Sequence, residues 1–234
     1  MSVYPNPHDH GCFWHQVNEI FGSANLQWCE QTICHIVSEP INVLSNLGFL
    51  LVGMRILLQA RSFWSKGYGA FTLLVGILSS LYHMSASFPG QLGDFSAIFL
   101  FIGYNLAHSL QTLGHLKPKS IFRFTAVFYL ALIAIVVVFY FWQIYFQMLV
   151  GLSILALVAS EYQVQKRFPV GKKPLYFAIG LICLGSMASL FDLKRMACSP
   201  ENHFFQGHAL WHVLAAAAIW HMYIYLKQRY EDAK

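Results

Sequence analysis

Two histidines four residues apart, in His208-Ala209-Leu210-Trp211-His212, open the last apolar segment of the chain. On a helix that spacing puts both imidazoles on one face, a turn apart. Polar rings at membrane depth are rare and mark sites, and neutral imidazole is a common zinc ligand. Such a pair asks for a third protein ligand and a position for water. The chain offers His83, with Ser79 four residues before it on the same helix face and Asp94 just beyond a Pro89-Gly90 turn. Three protein ligands plus water describe an open, catalytic zinc site. Zinc lowers the pKa of water toward ~7 and polarises a carbonyl. Asp94 is then placed to take a proton and pass it to a leaving amine, and Ser79 to donate to an oxyanion. The chemistry expected is hydrolysis of an acyl bond.

Each residue also has a plainer explanation. The histidine pair could snorkel to the interface or bond between helices, and Ser79, like Ser80 beside it, could be a small packing residue. Asp94 could be an acid favoured by a helix N-terminus. What argues for a site is that these residues are expected at one depth, and that depends on the elements carrying them.

Of the 234 residues 57% are hydrophobic and 11% charged, with mean hydropathy +0.51. A soluble domain carries about 25% charged residues, so an integral membrane protein is expected. Runs of the ~20 apolar residues needed to span occur at about 40–60, 67–87, 92–113, 121–141, 144–161, 174–191 and 206–226. Runs of that length span as helices, because barrel strands are about half as long. The fold class expected is therefore all-α, a seven-transmembrane-helix bundle. Residues 1–38 form a cap, 39–226 the membrane domain and 227–234 a tail. The first 38 residues lack the charged and apolar regions of a cleavable signal, so the cap is expected to be kept.

Thirteen of the fifteen Lys and Arg fall in the first, third and fifth loops and the C-terminal tail. The positive-inside rule makes that side cytoplasmic and the N-terminus outside. The net charge of +5 is thus a topology signal and calls for no nucleic acid. Spans 2 and 3 then meet outside at His83 and Asp94, span 7 begins outside at His208, and span 1 begins outside near Glu39. Their unusual polar residues converge at the outer end, reached by a lipid substrate from the bilayer.

Cys29 and Cys198 both fall outside, where an oxidising compartment permits a disulfide, although sequence leaves connectivity open. His8, His10 and His15 form a loose cluster in a polar tail, and His35 and His203 read as outer-surface residues. Asp192 reads as structural, with Lys194 or Arg195 in reach, and Glu161 as an interfacial acid near Lys166. A receptor keeping the metal for structure is the rival function. A transporter is disfavoured, because no paired inverted halves are visible.

Trp28-Cys29-Glu30, Glu39-Pro40-Ile41-Asn42 and Ser45-Asn46 resemble the opening of the alkaline ceramidase family. Ser79-Ser80-Leu81-Tyr82-His83 with Gln91-Leu92-Gly93-Asp94 resembles its second and third helices, and Asp192 to Cys198 with the His208–His212 motif its sixth loop and seventh helix. That family belongs to a seven-helix hydrolase superfamily that includes adiponectin-type receptors. The resemblance implies an intramembrane zinc amidase that cuts ceramide, or a related N-acyl lipid, into a sphingoid base and a fatty acid. By position, the resemblance implies that His83, His208 and His212 hold zinc, Asp94 shuttles the proton, Ser79 either donates to the oxyanion or supports the groups around the metal, and Cys29 pairs with Cys198. The host is a bacterial inner membrane, or an endoplasmic reticulum or Golgi membrane. Family members also carry a calcium site, of which Glu30 and Glu39 remain here. Gln27 and Thr32 replace an acid and an asparagine, and the segment between the two acids is about two residues shorter. Calcium takes six or more oxygens, so weak binding or none is expected. Phe95 stands where an acid often follows the third-helix Asp, which points to a changed pocket lining.

Overall fold

The computed structural model describes residues 11–142, 144, 146–196 and 198–231; His8 and His10 of the histidine-rich segment lie outside these. Among the described residues the secondary structure is helical, apart from one isolated antiparallel bridge between Ser23 and Ser87. The helices are α1 (His15–Phe21), α2 (Pro40–Ser45), α3 (Leu47–Gln59), α4 (Phe63–Ser85) and α5 (Phe88–Thr112). After a 3-10 turn at Pro118–Ser120 come α6 (Ile121–Phe141), α7 (Gln147–Arg167), α8 (Lys173–Leu193) and α9 (Gly207–Tyr230).

Among the described residues, five stretches are long and apolar enough to cross a membrane: Pro40–Gln59, Pro118–Phe141, Gln147–Arg167, Lys173–Leu193 and Gly207–Tyr230. Helices α4 and α5, with 23 and 25 residues, have the length but a more polar composition. The reason is their place in the bundle. α4 packs on α2, α3, α5 and α9, and α5 on α4, α6 and α7. Helices enclosed by protein can hold Thr72, Ser79, His83, Asp94, Asn105 and Ser109 buried, which a lipid-facing helix cannot do cheaply. Helix α6 is the converse, the most apolar of the five stretches and the least buried.

Local signals set the helix ends. Ser62 caps α4 reciprocally with Ser65, each hydroxyl taking the other's backbone N–H at 3.1 Å. Two residues join α4 to α5. Ala86 ends α4 in the left-handed region (φ 47°), and the Ser87 side chain accepts from Gly90 N to start α5. Position 90 requires glycine, since a Cβ there would lie 2.9 Å from Tyr82 Cα. This turn fixes the rotation of α4 against α5, and so of His83 against Asp94.

Residues 11–39 lie across the end of the bundle where α4 finishes and α9 begins. Backbone bonds stitch them down: Ala24 N to Ala86 O, Ser38 N to Met84 O, Glu39 N to His83 O and Gln31 N to Pro200 O. Two disulfides clamp the same segment, Cys29–Cys198 and Cys12–Cys34. The first is the pair implied by the family motif; the second was not expected. Leu26 and Trp28 join Tyr82, Phe95, Phe99, Val136 and Phe146 in an apolar cluster under this cap.

Two sequence expectations change. Glu161 is buried at 1% exposure; it binds Arg229 Nη1 at 2.9 Å and accepts from the Ser109 hydroxyl. Five residues on a helix turn the direction by about 140°, so Lys166 faces away from Glu161 and instead lies over the Tyr162 ring. Helix α9 accordingly runs on to Tyr230, beyond the expected end of its span at 226. Asp192 turns not to its neighbouring cations but to two backbone donors, Cys29 N at 2.7 Å and His208 N at 2.9 Å.

Candidate metal centre

Helix α9 begins with no side-chain cap of its own. Its orphan N–H at His208 is met from α8 by Asp192, whose charge also suits a helix N-terminus. Gly207 lets the two helices approach, because a Cβ there would sit 2.6 Å from Ala188 O. The first turn of α9 is thereby held against α8, and His208 and His212 are directed into the bundle. Helix α2 is held in the same way. Pro40 occupies its first turn, and the Glu30 carboxylate takes the N–H groups of Ile41 and Asn42, both at 2.9 Å.

The imidazoles of His83, His208 and His212 are all buried, and one ring nitrogen from each lies within 4.8 Å of the other two. His83 Nε2 and His208 Nε2 are 3.2 Å apart. Each Nδ1 faces an oxygen. His83 Nδ1 lies 2.6 Å from Glu39 Oε2, His212 Nδ1 2.7 Å from Ser45 Oγ, and His208 Nδ1 3.3 Å from Ser189 Oγ. His83 Nδ1 and Glu39 Oε2 share one hydrogen across this contact. Ser45 gives its hydroxyl hydrogen to Asn42 O at 2.9 Å, so it accepts from His212 Nδ1. On His212 this leaves Nε2 as the acceptor nitrogen. Three buried imidazoles with ring nitrogens this close together suit a shared cation. Two ligands of a tetrahedral ion about 2.05 Å away would be about 3.3 Å apart, close to the spacing found. Second partners on the far nitrogen are the usual way ligating histidines are oriented.

Aromatic contacts hold the rings. The Trp28 indole stacks on His208 with centroids 3.4 Å apart and planes 9° from parallel, and Phe49 meets His212 edge-on at 6.0 Å. The Trp28 N–H donates to Tyr82 OH, which donates to Leu26 O, so the cap is anchored to α4 one residue before His83.

Asp94 is not among the clustered ring nitrogens. It is buried in the second turn of α5, with Ser79 as its side-chain hydrogen-bond partner. Ser79 is itself buried one turn below His83 on α4, so it links the carboxyl to the cluster's helix face. Glu30 and Glu39 both serve protein donors. Glu30 holds the start of α2 and also meets His203 Nδ1 at 2.9 Å, while Glu39 Oε2 meets His83 and Asn42. Burial pushes the Glu30 carboxyl above its ordinary value, opposed by His203 and the two backbone donors.

The family comparison decides the identity. Residues 21–232 match the family model described as Ceramidase. The chain is a member of the ceramidase family. Among curated relatives of this ceramidase-family chain, mouse alkaline ceramidase 1 is 25% identical over 209 residues, covering 83% of this chain and 76% of the relative. Human alkaline ceramidase 1 is 27% identical over 214 residues, covering 83% and 78%. The family expected from the motifs is the one found.

Sequence reasoning missed the orienting groups of this ceramidase-family site. Ser45 stood in a quoted motif without a role, and Glu39 was read for calcium rather than for His83. Asp192 was read only as structural, and Ser189 carries no signal at all, being a serine on an apolar helix.

Proposed function

We propose that this chain is a zinc-dependent amidase of the bilayer that hydrolyses ceramide, or a closely related N-acyl lipid, to a sphingoid base and a fatty acid. The observation that carries this is the set of three buried imidazoles, each with its Nδ1 against an oxygen and one ring nitrogen within 4.8 Å of those of the other two. Neutral imidazoles suit zinc among several metals, and three protein ligands leave a position open. When bound, zinc supplies a Lewis acid that polarises a carbonyl and makes water acidic near neutral pH. Asp94 accepts the proton of the attacking water and delivers it to the nitrogen as the amide C–N bond breaks. The water oxygen stays on the acyl carbon, so the products are a carboxylic acid and an amine. Ser79 gives its one hydroxyl hydrogen to the Asp94 carboxylate and, once Asp94 has taken the proton of the water, can turn that hydrogen to the oxyanion on the acyl carbon.

The membrane frame is seven spans, the five apolar ones plus α4 and α5 at the centre. The cationic loops and tail lie in the cytoplasm and the capped end lies outside. The two disulfides support this, since both sit at the capped end and such bonds persist in oxidising compartments. Substrate then enters from the leaflet that faces the site.

The test is incubation of purified protein in detergent with a mixed ceramide set, following free sphingoid base by mass spectrometry with and without a zinc chelator. Release that chelator abolishes and zinc restores is expected. Zinc bound at one per chain with no base released would refute ceramide as substrate.

A further inference from the structure

The loop from α8 to α9 presents two phenylalanines just before the helix that carries His208 and His212. Phe204 is 91% exposed and Phe205 68%. The loop behind them is tightly built. Asn202 Oδ1 accepts from the backbone N–H of Phe204 at 3.0 Å and of Phe205 at 3.1 Å. Gln206 Nε2 donates to Ser199 O at 2.8 Å and Asn202 O at 2.6 Å, and Pro200 O accepts from Gln31 N. Cys198 is bonded to Cys29 in the cap, and His203 turns inward onto Glu30. A polar frame thus holds the two rings outward.

Exposed aromatic rings on a fixed turn are unfavourable in water and favourable at a membrane interface. The apolar surface does not stop at the loop. Leu184, Met187 and Phe191 form one exposed stripe along α8, at the i, i+3, i+7 spacing of a single helix face, and the stripe leads into this loop. The phenylalanine pair continues a lipid-facing surface to the mouth of the histidine cluster, three residues short of His208.

We propose that Phe204 and Phe205 dip into the acyl-chain region of the leaflet facing the site and dock the long chain of the lipid substrate there. The occupant is bilayer lipid, and the pair acts on capture rather than on bond cleavage. The substrate half of this statement rests on the amidase reading above; insertion into the leaflet does not.

Two measurements test it. Phe204→Trp and wild-type protein are compared in phosphatidylcholine vesicles containing phosphatidylcholine brominated along its chains. The added indole should be quenched by bromine placed near the headgroup end of the chains. An indole that is not quenched, whether because water surrounds it or because a second copy of the chain covers it, overturns the proposal. Hydrolysis by Phe204→Ser/Phe205→Ser is then measured with long-chain ceramide in vesicles and with a six-carbon N-acyl analogue. The expected result is a KM for long-chain ceramide raised about tenfold with kcat within twofold, and a KM for the short analogue within twofold. Equal KM values for the variant and wild type on the long-chain lipid would overturn the docking role. Failure of wild type to cleave either lipid would refute the amidase reading while the quenching result still decides insertion.

Discussion

Ser45 has one hydroxyl hydrogen, and Asn42 O takes it. That single donation makes Ser45 an acceptor toward His212 and so selects the tautomer with a bare Nε2. Ser45→Ala should weaken metal retention about 10–100-fold, the usual loss when a ligand's second partner goes. Ser45→Thr, which keeps the hydroxyl, should stay near wild type, as read by chelator competition with metal analysis. His212→Ala in the same assay should lose metal and hydrolysis together. Asp94→Asn should keep one ion per chain and lose turnover by about 10²–10⁴-fold, the usual contribution of a general base. Normal turnover in Asp94→Asn would remove the proton-shuttle role. At this scale the sequence pointed to the three histidines that the structure brings together, because imidazoles in apolar helices are rare and their spacing fixes a face. It did not show Ser45 or Ser189, because a serine on such a helix also serves plain packing.

Helices α5, α7 and α9 meet around a buried charge pair. Arg229 Nη1 binds Glu161 Oε2, the Ser109 hydroxyl donates to Glu161, and Arg229 Nη2 reaches Gln165, Phe168 O and Tyr225. The cluster sits at the opposite end of the bundle from the histidines. Taking away one member of such a pair leaves the other charge buried and unmatched. Glu161→Leu should therefore lower stability by about 3–5 kcal/mol, whereas Glu161→Leu with Arg229→Met should recover most of that loss. Thermal unfolding in detergent would show it; equal losses in the single and double variants would mean that the pair does not hold the three helices. The helices themselves were legible from their apolar runs, with ends misplaced by a few residues. Their partners were not, because rotation about each helix axis decides whether an acid meets lysine on its own chain segment or arginine on another.

The cap is tied to the bundle over very different lengths of chain. Cys29–Cys198 separates its residues by 169 positions, Cys12–Cys34 by 22. Loop closure alone assigns at most about 5 kcal/mol to the long link and about 3 kcal/mol to the short one. Replacing Cys29 and Cys198 together by serine should therefore depress the melting temperature more than replacing Cys12 and Cys34. It should also loosen the Trp28 stack on His208, since Trp28 neighbours Cys29; an equal or smaller depression would place the restraint elsewhere. The sequence by itself determined the class of molecule, the membrane helices, the family and the histidines, because composition, run length and spacing are properties of the chain read in order. Only the tertiary structure decided which oxygen orients each imidazole, that Asp192 joins the cap to α9, that Glu161 is buried against Arg229, and that Phe204 and Phe205 point outward. Each of those facts depends on the rotation and depth of elements far apart in the chain, and those are set by packing rather than by local pattern.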